Sequence, residues 1–372
     1  MTVGTAGASS PSSGSPRSAP AASSGRLVGI DVARGVAVLG MFAAHMWPRE
    51  LLDERVFDGR SAILFATLAG ISLGLVSGGA RATPPGRRAR VSASIAIRAA
   101  LLIVLGLLLQ AWNVYVLVIL PYYGVMFLLL LGVLWLPRRL LVPLAAVVTV
   151  AAPFAATLVP VGPVGDTTLS GLPGLAADAL LVGAYPALVW LPFLIAGLVA
   201  ARSDLARPKT ARLLIIVGVI AAVVGYGARF LPGAATVAAL DPADHEGMPA
   251  EIVGSGGVAL AVVGLLLVIT GAARPDGSAT RVVRALLAPL AATGAQPLTV
   301  YTLHLLITAP LFTAYRSTIG SYGLPLGWLV AAVIGTLVYA TLWRRFVGRG
   351  PLERLVARAS RPWETREAAL AR

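Results

Sequence analysis

One apolar stretch near the start of the sequence begins at Arg26 and carries three further ionisable residues in its interior: Asp31, Arg34 and His45. The stretch, 26–47, is long enough to cross a bilayer, which takes about 20 residues. A charged side chain at membrane depth is costly and therefore indicates function. On a helix that turns about 100° per residue, Arg34 and His45 fall within roughly 20° of each other, and Asp31 lies one turn from Arg34. One helix face would carry an ion pair and, about 16 Å along the axis, an imidazole.

His45 is the residue best suited to act as a general base, because an imidazole changes its charge near neutral pH. The alternative is an interfacial histidine beside Trp47 without a chemical role. Two interpretations stay open for Asp31 and Arg34. They form a structural ion pair that fixes this helix against its neighbours, or the guanidinium faces an anion such as a phosphate. Arg98 would join that anion site or extend its side chain to the membrane surface.

The sequence contains two further histidines, His245 and His304. His304 lies in a later apolar stretch and shares one helix face, at the spacing i, i+4, i+7, i+11, with three other residues: Pro297, Tyr301 and Thr308. A structural hydrogen bond to a neighbouring helix is the alternative to a functional role. His245 is flanked by acidic residues in a loop, where an exposed position is the simplest interpretation.

The composition identifies an all-α membrane protein. Of the 372 residues, 57% are hydrophobic and 12% are charged, whereas soluble proteins have about 25% charged residues. The mean hydropathy is +0.84. We expect about ten transmembrane helices, at 27–47, 60–79, 92–111, 117–136, 139–159, 184–201, 211–231, 252–272, 286–313 and 324–346.

Basic residues concentrate in every second loop and in the C-terminal tail, whereas the alternate loops hold most of the acidic residues. By the positive-inside rule, both chain termini are predicted to be cytoplasmic. These loops, rather than nucleic-acid binding, account for the net charge of +14. The chain is predicted to divide into three parts: a disordered tail at 1–25, a membrane domain at 26–347 and a basic cytoplasmic tail at 348–372.

The sequence has no cysteine, which excludes disulfides, thiolate metal sites and a cysteine nucleophile. It also lacks a Walker A loop and an H-E-x-x-H motif, and no metal is expected. Lys209 is the only lysine among 30 basic residues, which favours a GC-rich bacterial genome. We therefore expect a multi-pass protein of a bacterial plasma membrane.

Several motifs resemble one family of membrane proteins. The stretch G-I-D-V-A-R-G-V-A-V-L-G-M-F at 29–42 resembles the start of the YeiB-like proteins, which are related to the catalytic domain of heparan-alpha-glucosaminide N-acetyltransferase. Similar pieces follow in order: V-G-A-Y-P-A-L-V-W-L-P-F-L-I-A-G-L at 182–198, H-E-G-M-P-A-E-I-V-G-S-G-G-V-A-L at 245–260, G-A-Q-P-L-T-V-Y-T-L-H at 294–304 and G-P-L-E at 350–353. The spacing R-x10-H in the first stretch also resembles the membrane acyltransferase-three proteins.

The resemblance implies acyl transfer across the membrane. Cytosolic acyl-CoA, acetyl-CoA in particular, would be the donor, and a hydroxyl or amine of an extracytoplasmic glycan, lipid or small molecule would be the acceptor. His45 corresponds to the outer catalytic histidine, and Arg34 lies below it towards the donor. His245 and His304 match YeiB-like positions without an assigned role. The active-histidine loop of the glucosaminide enzyme is not reproduced here, so its substrate is not implied.

Three classes of function follow. In an acyltransferase, His45 would act as general base or carry the acyl group transiently, and Arg34 with Arg98 would hold CoA. The route between the leaflets would be lined by Gln296, Tyr301 and His304. A transporter or exporter of lipids or small molecules would use the same polar path. A structural or regulatory membrane component, in contrast, would lose only its fold when Arg34 or His45 is replaced. The chain could form oligomers.

Overall fold

The computed structural model describes residues 27–47, 59–81, 83–113, 115–162, 167–242, 247–271, 277–319 and 324–360. Of these residues 79% are helical, and none of them forms a strand. The protein is therefore all-α, as its composition predicts. The predicted disordered tail at 1–25 and the end of the basic tail lie outside the described residues.

The described part of the chain contains fourteen α-helices. Prolines occupy the first turn of α3, α4, α8, α9, α11 and α14, where the missing N–H costs nothing. A π-helical turn, Asp178–Val182, separates α6 from α7. The helices are α1 (Val28–Met46), α2 (Arg60–Val76), α3 (Pro85–Trp112), α4 (Leu120–Val133), α5 (Arg138–Ala156), α6 (Gly171–Ala177), α7 (Ala187–Ala201), α8 (Pro208–Gly227), α9 (Pro249–Ile269), α10 (Ser278–Leu286), α11 (Ala288–Thr293), α12 (Pro297–Ile319), α13 (Leu326–Phe346) and α14 (Pro351–Ala359).

Seven helices in the described residues are long and apolar enough to cross a membrane: α1, α3, α5, α8, α9, α12 and α13. The segments Gly171–Val182 and Ala187–Ala201 form a pair bent by 45° that qualifies as one more span. Helices α2 and α4 are apolar but shorter, with 17 and 14 residues. The protein is thus a multi-pass membrane protein, and each predicted span overlaps one of these segments. The count of ten crossings stays a prediction.

The predicted continuous span at 286–313 is wrong, because the chain breaks between α11 and α12. Helix α11 ends at Thr293 and α12 begins at Pro297. Proline removes a backbone N–H and disfavours helical geometry in the residue before it. Gly294 lies directly against the backbone of Asp31 and Gly35, where a β-carbon would not fit. This break allows α11 and α12 to make separate contacts with α1.

Helix α1 is the central element of the bundle. Of its 19 residues, 12 are buried, and it contacts α2, α9, α11, α12 and α13. The approach to α11 is close, because Gly35 packs against the backbone of Leu290. Small residues let membrane helices approach in this way. The charged face of α1 therefore lies inside the protein.

The basic loops meet at one end of the bundle. Arg202, after α7, donates to the carbonyl oxygens of Gly79, after α2, at 2.9 Å and of Leu134, after α4, at 3.1 Å. Arg138 donates to Ser203 at 2.9 Å. We call this the arginine-rich end, and the opposite end, where α1 finishes and α2 begins, the His45 end. The grouping agrees with the alternation of loops in the sequence, and the side that faces the cytoplasm stays a prediction.

Candidate functional site

His45 and His304 meet where the last turn of α1 packs against α12. Nδ1 of His45 lies 3.1 Å from Nε2 of His304, and the ring centroids are 5.4 Å apart. At this distance one imidazole donates a hydrogen bond and the other accepts it. The structure therefore places the strongest catalytic candidate beside a second titratable ring. Such a pair can accept and stabilise a proton during general-base catalysis.

An aromatic ring fixes the orientation of His304. Phe42 stacks on the imidazole with centroids 3.9 Å apart and an angle of 13° between the planes. Phe42 precedes His45 by three residues and therefore lies on the same face of α1. His304 is only 4% exposed, so its ring is held between Phe42 and His45. The sequence signal for Phe42 is this i, i+3 spacing, and it is weak in a chain so rich in apolar residues.

Asn113 anchors α12 beside His304. Its side chain is fully buried, and Nδ2 donates to the carbonyl oxygen of Leu305 at 3.1 Å and to the hydroxyl of Thr308 at 3.3 Å. Its Oδ1 accepts a hydrogen bond from the backbone N–H of Tyr115 at 3.0 Å. The sequence does not point to this role, although an amide at the end of an apolar span is the type of residue that needs internal partners.

The stripe predicted on α12 contains buried side chains. Tyr301 is 4% and Thr308 is 1% exposed. Tyr301 lies one turn from His304 on the same face of α12. A polar line thus continues from the histidine pair along α12 towards the arginine-rich end.

Asp31 and Arg34 form the ion pair predicted from their spacing. Nη1 of Arg34 donates to Oδ1 of Asp31 at 3.1 Å, and Nη2 donates to Ser72 of α2 at 2.7 Å. The Asp31 side chain is 6% exposed. The guanidinium thereby ties α1 to α2, which supports the structural interpretation of this pair. Its predicted role in anion binding stays a prediction.

Arg98 and Gln296 contact the C-terminal part of the chain. Nε of Arg98 donates to Ser360, just after α14, at 3.2 Å. Gln296 is fully buried at the break before α12, and its Nε2 donates to the carbonyl oxygen of Ala340 at 2.9 Å. Its Oε1 is buried without a hydrogen-bond partner among the described residues. Both residues therefore help to assemble the bundle near the arginine-rich end.

The predicted site residues thus separate into groups along the helix axes. His45 and His304 are in contact, with Tyr301 one turn away. The Asp31–Arg34 pair lies about 16 Å from His45 along α1. His245 lies outside the described residues. Within those residues, no group of three or more His, Asp or Glu side chains is arranged to hold a metal ion.

A separate cavity of about 380 Å³ lies at the His45 end, between α5, α7 and α9. It is lined by the bend before α7, by aromatic residues including Trp190, and by Glu251. Glu251 is 4% exposed, and its Oε2 accepts a hydrogen bond from the backbone N–H of Gly247 at 2.7 Å. The bent helical pair therefore borders a space that contains a buried carboxylate.

Comparison with known families gives a match in the second half of the chain. Residues 199–361 match a family described as a protein of unknown function, DUF418. No curated protein matches the chain. The matched segment runs from the end of α7 through α14 and includes Gln296, Tyr301 and His304, but it does not include α1. It confirms the predicted relationship to a YeiB-like membrane family of unknown function, whereas the link to the glucosaminide acetyltransferase stays a prediction.

Proposed function

We propose that this membrane protein is an acyltransferase. It would move an acyl group, most simply acetyl, from cytosolic acyl-CoA to a hydroxyl or amine of an extracytoplasmic glycan, lipid or small molecule. The observation that carries the proposal is the 3.1 Å contact between His45 and His304. The R-x10-H spacing on α1 supports it, since the membrane acyltransferases that this spacing resembles transfer acyl groups.

In this mechanism His45 is the general base and His304 stabilises its charged form. When Nδ1 of His45 carries the hydrogen and donates it to His304, Nε2 carries the lone pair that removes a proton. The base takes the proton from the acceptor O–H or N–H. The acceptor atom forms a bond to the acyl carbon, the carbon–sulfur bond of the thioester breaks, and the leaving thiolate receives the proton. General-base catalysis of this kind contributes about 10²–10⁴-fold to a rate.

The donor would approach from the arginine-rich end in the predicted orientation. Arg34 offers a positive charge there, although both of its terminal nitrogens already donate to protein oxygens. A phosphate of the donor would therefore replace or share the contact with Ser72. Gln296, just before α12, and Tyr301, on α12, lie between this end and the histidine pair in the order of the chain, as a route for the thioester arm requires.

The test compares envelope glycans and lipids by mass spectrometry in a deletion strain. The strain is complemented with wild type, with His45→Ala, or with Val36→Ala, an exposed position of the same helix. We expect an acyl group that is missing in the deletion strain to return with wild type and Val36→Ala but not with His45→Ala. Full restoration by a stably folded His45→Ala protein would contradict the assignment of His45 as the general base.

The second candidate is a transporter or exporter, and the bent pair favours it. Transporters commonly bind substrate at discontinuous helices, and the bend before α7 lines the cavity that contains Glu251. Thermal unfolding of the purified protein separates the two candidates. Acetyl-CoA at 100 times its Kd stabilises a protein that binds it by about 2.7 kcal/mol. An exporter of unrelated molecules would show no shift in Tm.

A further inference from the structure

The cavity of about 380 Å³ between α5, α7 and α9 has a carboxylate in its wall. Glu251 and Gly247 both line the cavity, and Oε2 of Glu251 accepts a hydrogen bond from the backbone N–H of Gly247 at 2.7 Å. The carboxylate therefore belongs to the wall that joins these two residues. The volume of the cavity lies within the range for small-molecule sites, about 300–1,000 Å³.

Two aromatic rings form another part of the wall. Trp190 and Phe193 of α7 line the cavity, and their ring centroids are 5.5 Å apart with planes at 80° to each other. Tyr185 packs against the indole of Trp190, with centroids 5.2 Å apart, and so helps to fix its orientation. Aromatic rings attract cations, tryptophan most strongly, and sites for quaternary ammonium groups are built from such rings.

Glu251 determines the sign of the charge in this cavity. Among the described residues that line the cavity, no other side chain is charged at neutral pH. Helix α5 and the π-helical turn end at the wall, whereas α7 and α9 begin there, so their dipoles largely offset one another. Arg60, which is not a lining residue, donates from Nε to the hydroxyl of Tyr226 at 3.1 Å. The cavity is therefore suited to a cation, whereas a phosphate would be repelled by the carboxylate.

The lining favours a quaternary over a primary ammonium group. A primary ammonium carries three N–H donors that each need an acceptor. Among the described lining residues, the only side-chain oxygens are those of Glu251 and the hydroxyl of Thr157. A quaternary ammonium has no N–H group, and its methyl groups can pack against aromatic rings and against aliphatic residues such as Val189 and Ile252.

The cavity is separate from the histidine pair, because α2 lies between the cavity and α1. Ile63 of α2 lines the cavity, whereas the Ser61 hydroxyl occupies the space that a β-carbon at Gly40 of α1 would take. Residues two positions apart on a helix point in directions that differ by about 200°, so these two side chains leave α2 on opposite faces. Neither His45 nor His304 lines the cavity. Any ligand bound there occupies a second site.

We propose that this cavity binds a quaternary ammonium ion, with its charged group between the carboxylate of Glu251 and the ring of Trp190. The inference goes beyond the proposed function and does not depend on acyl transfer. A free trimethylammonium compound and the head group of a phosphatidylcholine share this chemistry, since both present a positive charge surrounded by methyl groups.

The first test measures the binding of tritiated choline to the purified wild-type protein in phosphatidylglycerol nanodiscs by a scintillation proximity assay. Dimethylbutanol, in which a carbon atom replaces the nitrogen of choline, has the same shape without the charge. We expect unlabelled choline to displace the label at a concentration about 10-fold or more below that of dimethylbutanol, and ethanolamine to compete more weakly than choline. The absence of saturable choline binding would overturn the inference. Equal displacement by dimethylbutanol, or stronger displacement by ethanolamine, would overturn it as well.

Variants test whether choline binds in this cavity. Glu251→Gln removes the charge and keeps an oxygen for the N–H of Gly247, and Trp190→Phe keeps a smaller ring. The matched control is Asp241→Asn, which removes an exposed carboxylate outside the lining. We expect the Kd for choline to rise by about 10-fold or more in Glu251→Gln and to rise in Trp190→Phe, while Asp241→Asn stays near wild type. A wild-type Kd in folded Glu251→Gln and Trp190→Phe proteins would overturn the assignment to this cavity.

The source of the cation follows from the same assay in phosphatidylcholine nanodiscs. A higher apparent Kd for choline there than in phosphatidylglycerol nanodiscs would support the inference and identify the lipid head group as the occupant. An unchanged Kd would support it with a soluble ligand. The competition experiment uses wild type alone, so it decides the inference even where a variant fails to fold.

Discussion

In the proposed mechanism, His304 stabilises the charged form of His45 through the 3.1 Å contact between their rings. The pair is 259 residues apart in sequence. His45 could be predicted from its spacing to Arg34, since both lie on one helix. Its partner could not, because their contact depends on how α1 and α12 pack. The polar stripe through His304 predicts which residues share a helix face with the ring, but it does not predict what the ring touches.

Replacement of His304 should reduce turnover rather than donor binding. His304→Leu removes the nitrogen that faces Nδ1 of His45, and we expect kcat to fall by about 100-fold with little change in KM for acetyl-CoA. His304→Gln should retain part of the rate, because its amide can still bond to His45. Steady-state kinetics in nanodiscs would check both variants. A wild-type kcat for His304→Leu would show that the contact is only structural.

The buried amide of Asn113 gives a separate prediction about stability. Asn113→Leu removes the donor to the Leu305 carbonyl and the Thr308 hydroxyl inside the bundle, and unsatisfied buried groups cost about 1–3 kcal/mol. We expect a lower Tm in detergent than for Trp112→Leu, a substitution at the adjacent residue, which is 58% exposed. Equal Tm values for the two variants would mean that other groups form hydrogen bonds with the Leu305 carbonyl and the Thr308 hydroxyl when Asn113 is replaced.

Among the helices, α12 depends on α14, because a side chain of α14 caps the N-terminus of α12. Oε1 of Glu353 accepts hydrogen bonds from the backbone N–H groups of Leu298 at 2.8 Å and Thr299 at 3.1 Å. A carboxylate at a helix N-terminus also interacts favourably with the helix dipole. The G-P-L-E motif, which the sequence offers only as a family resemblance, thus holds the start of the helix that carries His304.

Removal of this cap should destabilise the protein. We expect Glu353→Ala to lower the free energy of unfolding by about 0.5–2 kcal/mol, the usual range for a lost cap. Glu353→Gln keeps one acceptor oxygen and should lose less. Thermal unfolding checks the order, with Arg358→Ala, an exposed position of the same helix, as the control. If Glu353→Ala melts like the control, the cap contributes nothing measurable.

Hydropathy predicted where the apolar helices lie. It did not predict that the ninth predicted span, 286–313, is divided into two helices. The apolar run from 286 to 313 is long enough for a span. The mean hydropathy over that run does not reveal the three residues that separate α11 from α12. Gly294 and Pro297 are the local signals for the break. Similar residues occur inside other apolar helices here, such as Pro192 in α7, because membrane helices tolerate them. The break therefore becomes visible only through the contact of Gly294 with α1.

For the whole molecule, the site is assembled from both halves of the chain. The DUF418 match at 199–361 contains α12 with His304 and the neighbouring helix α13. His45 and Phe42 come from α1, which precedes the matched segment. The first helix packs into the middle of the bundle and brings its imidazole to α12. Neither half alone contains the histidine pair, so any activity that depends on the pair requires the complete bundle.

The orientation of the bundle in the membrane determines whether His45 lies in the extracytoplasmic or the cytoplasmic half. Because the chain has no cysteine, single cysteines can report it without background. We expect Thr236→Cys, in the loop after α8, to react with a membrane-impermeant maleimide in intact cells, and Ser278→Cys, which begins α10, to react only after permeabilisation. Both positions are exposed, and the basic loops predict opposite sides for them. The reverse pattern would place His45 in the cytoplasmic half and leave its acceptor on the same side as acyl-CoA.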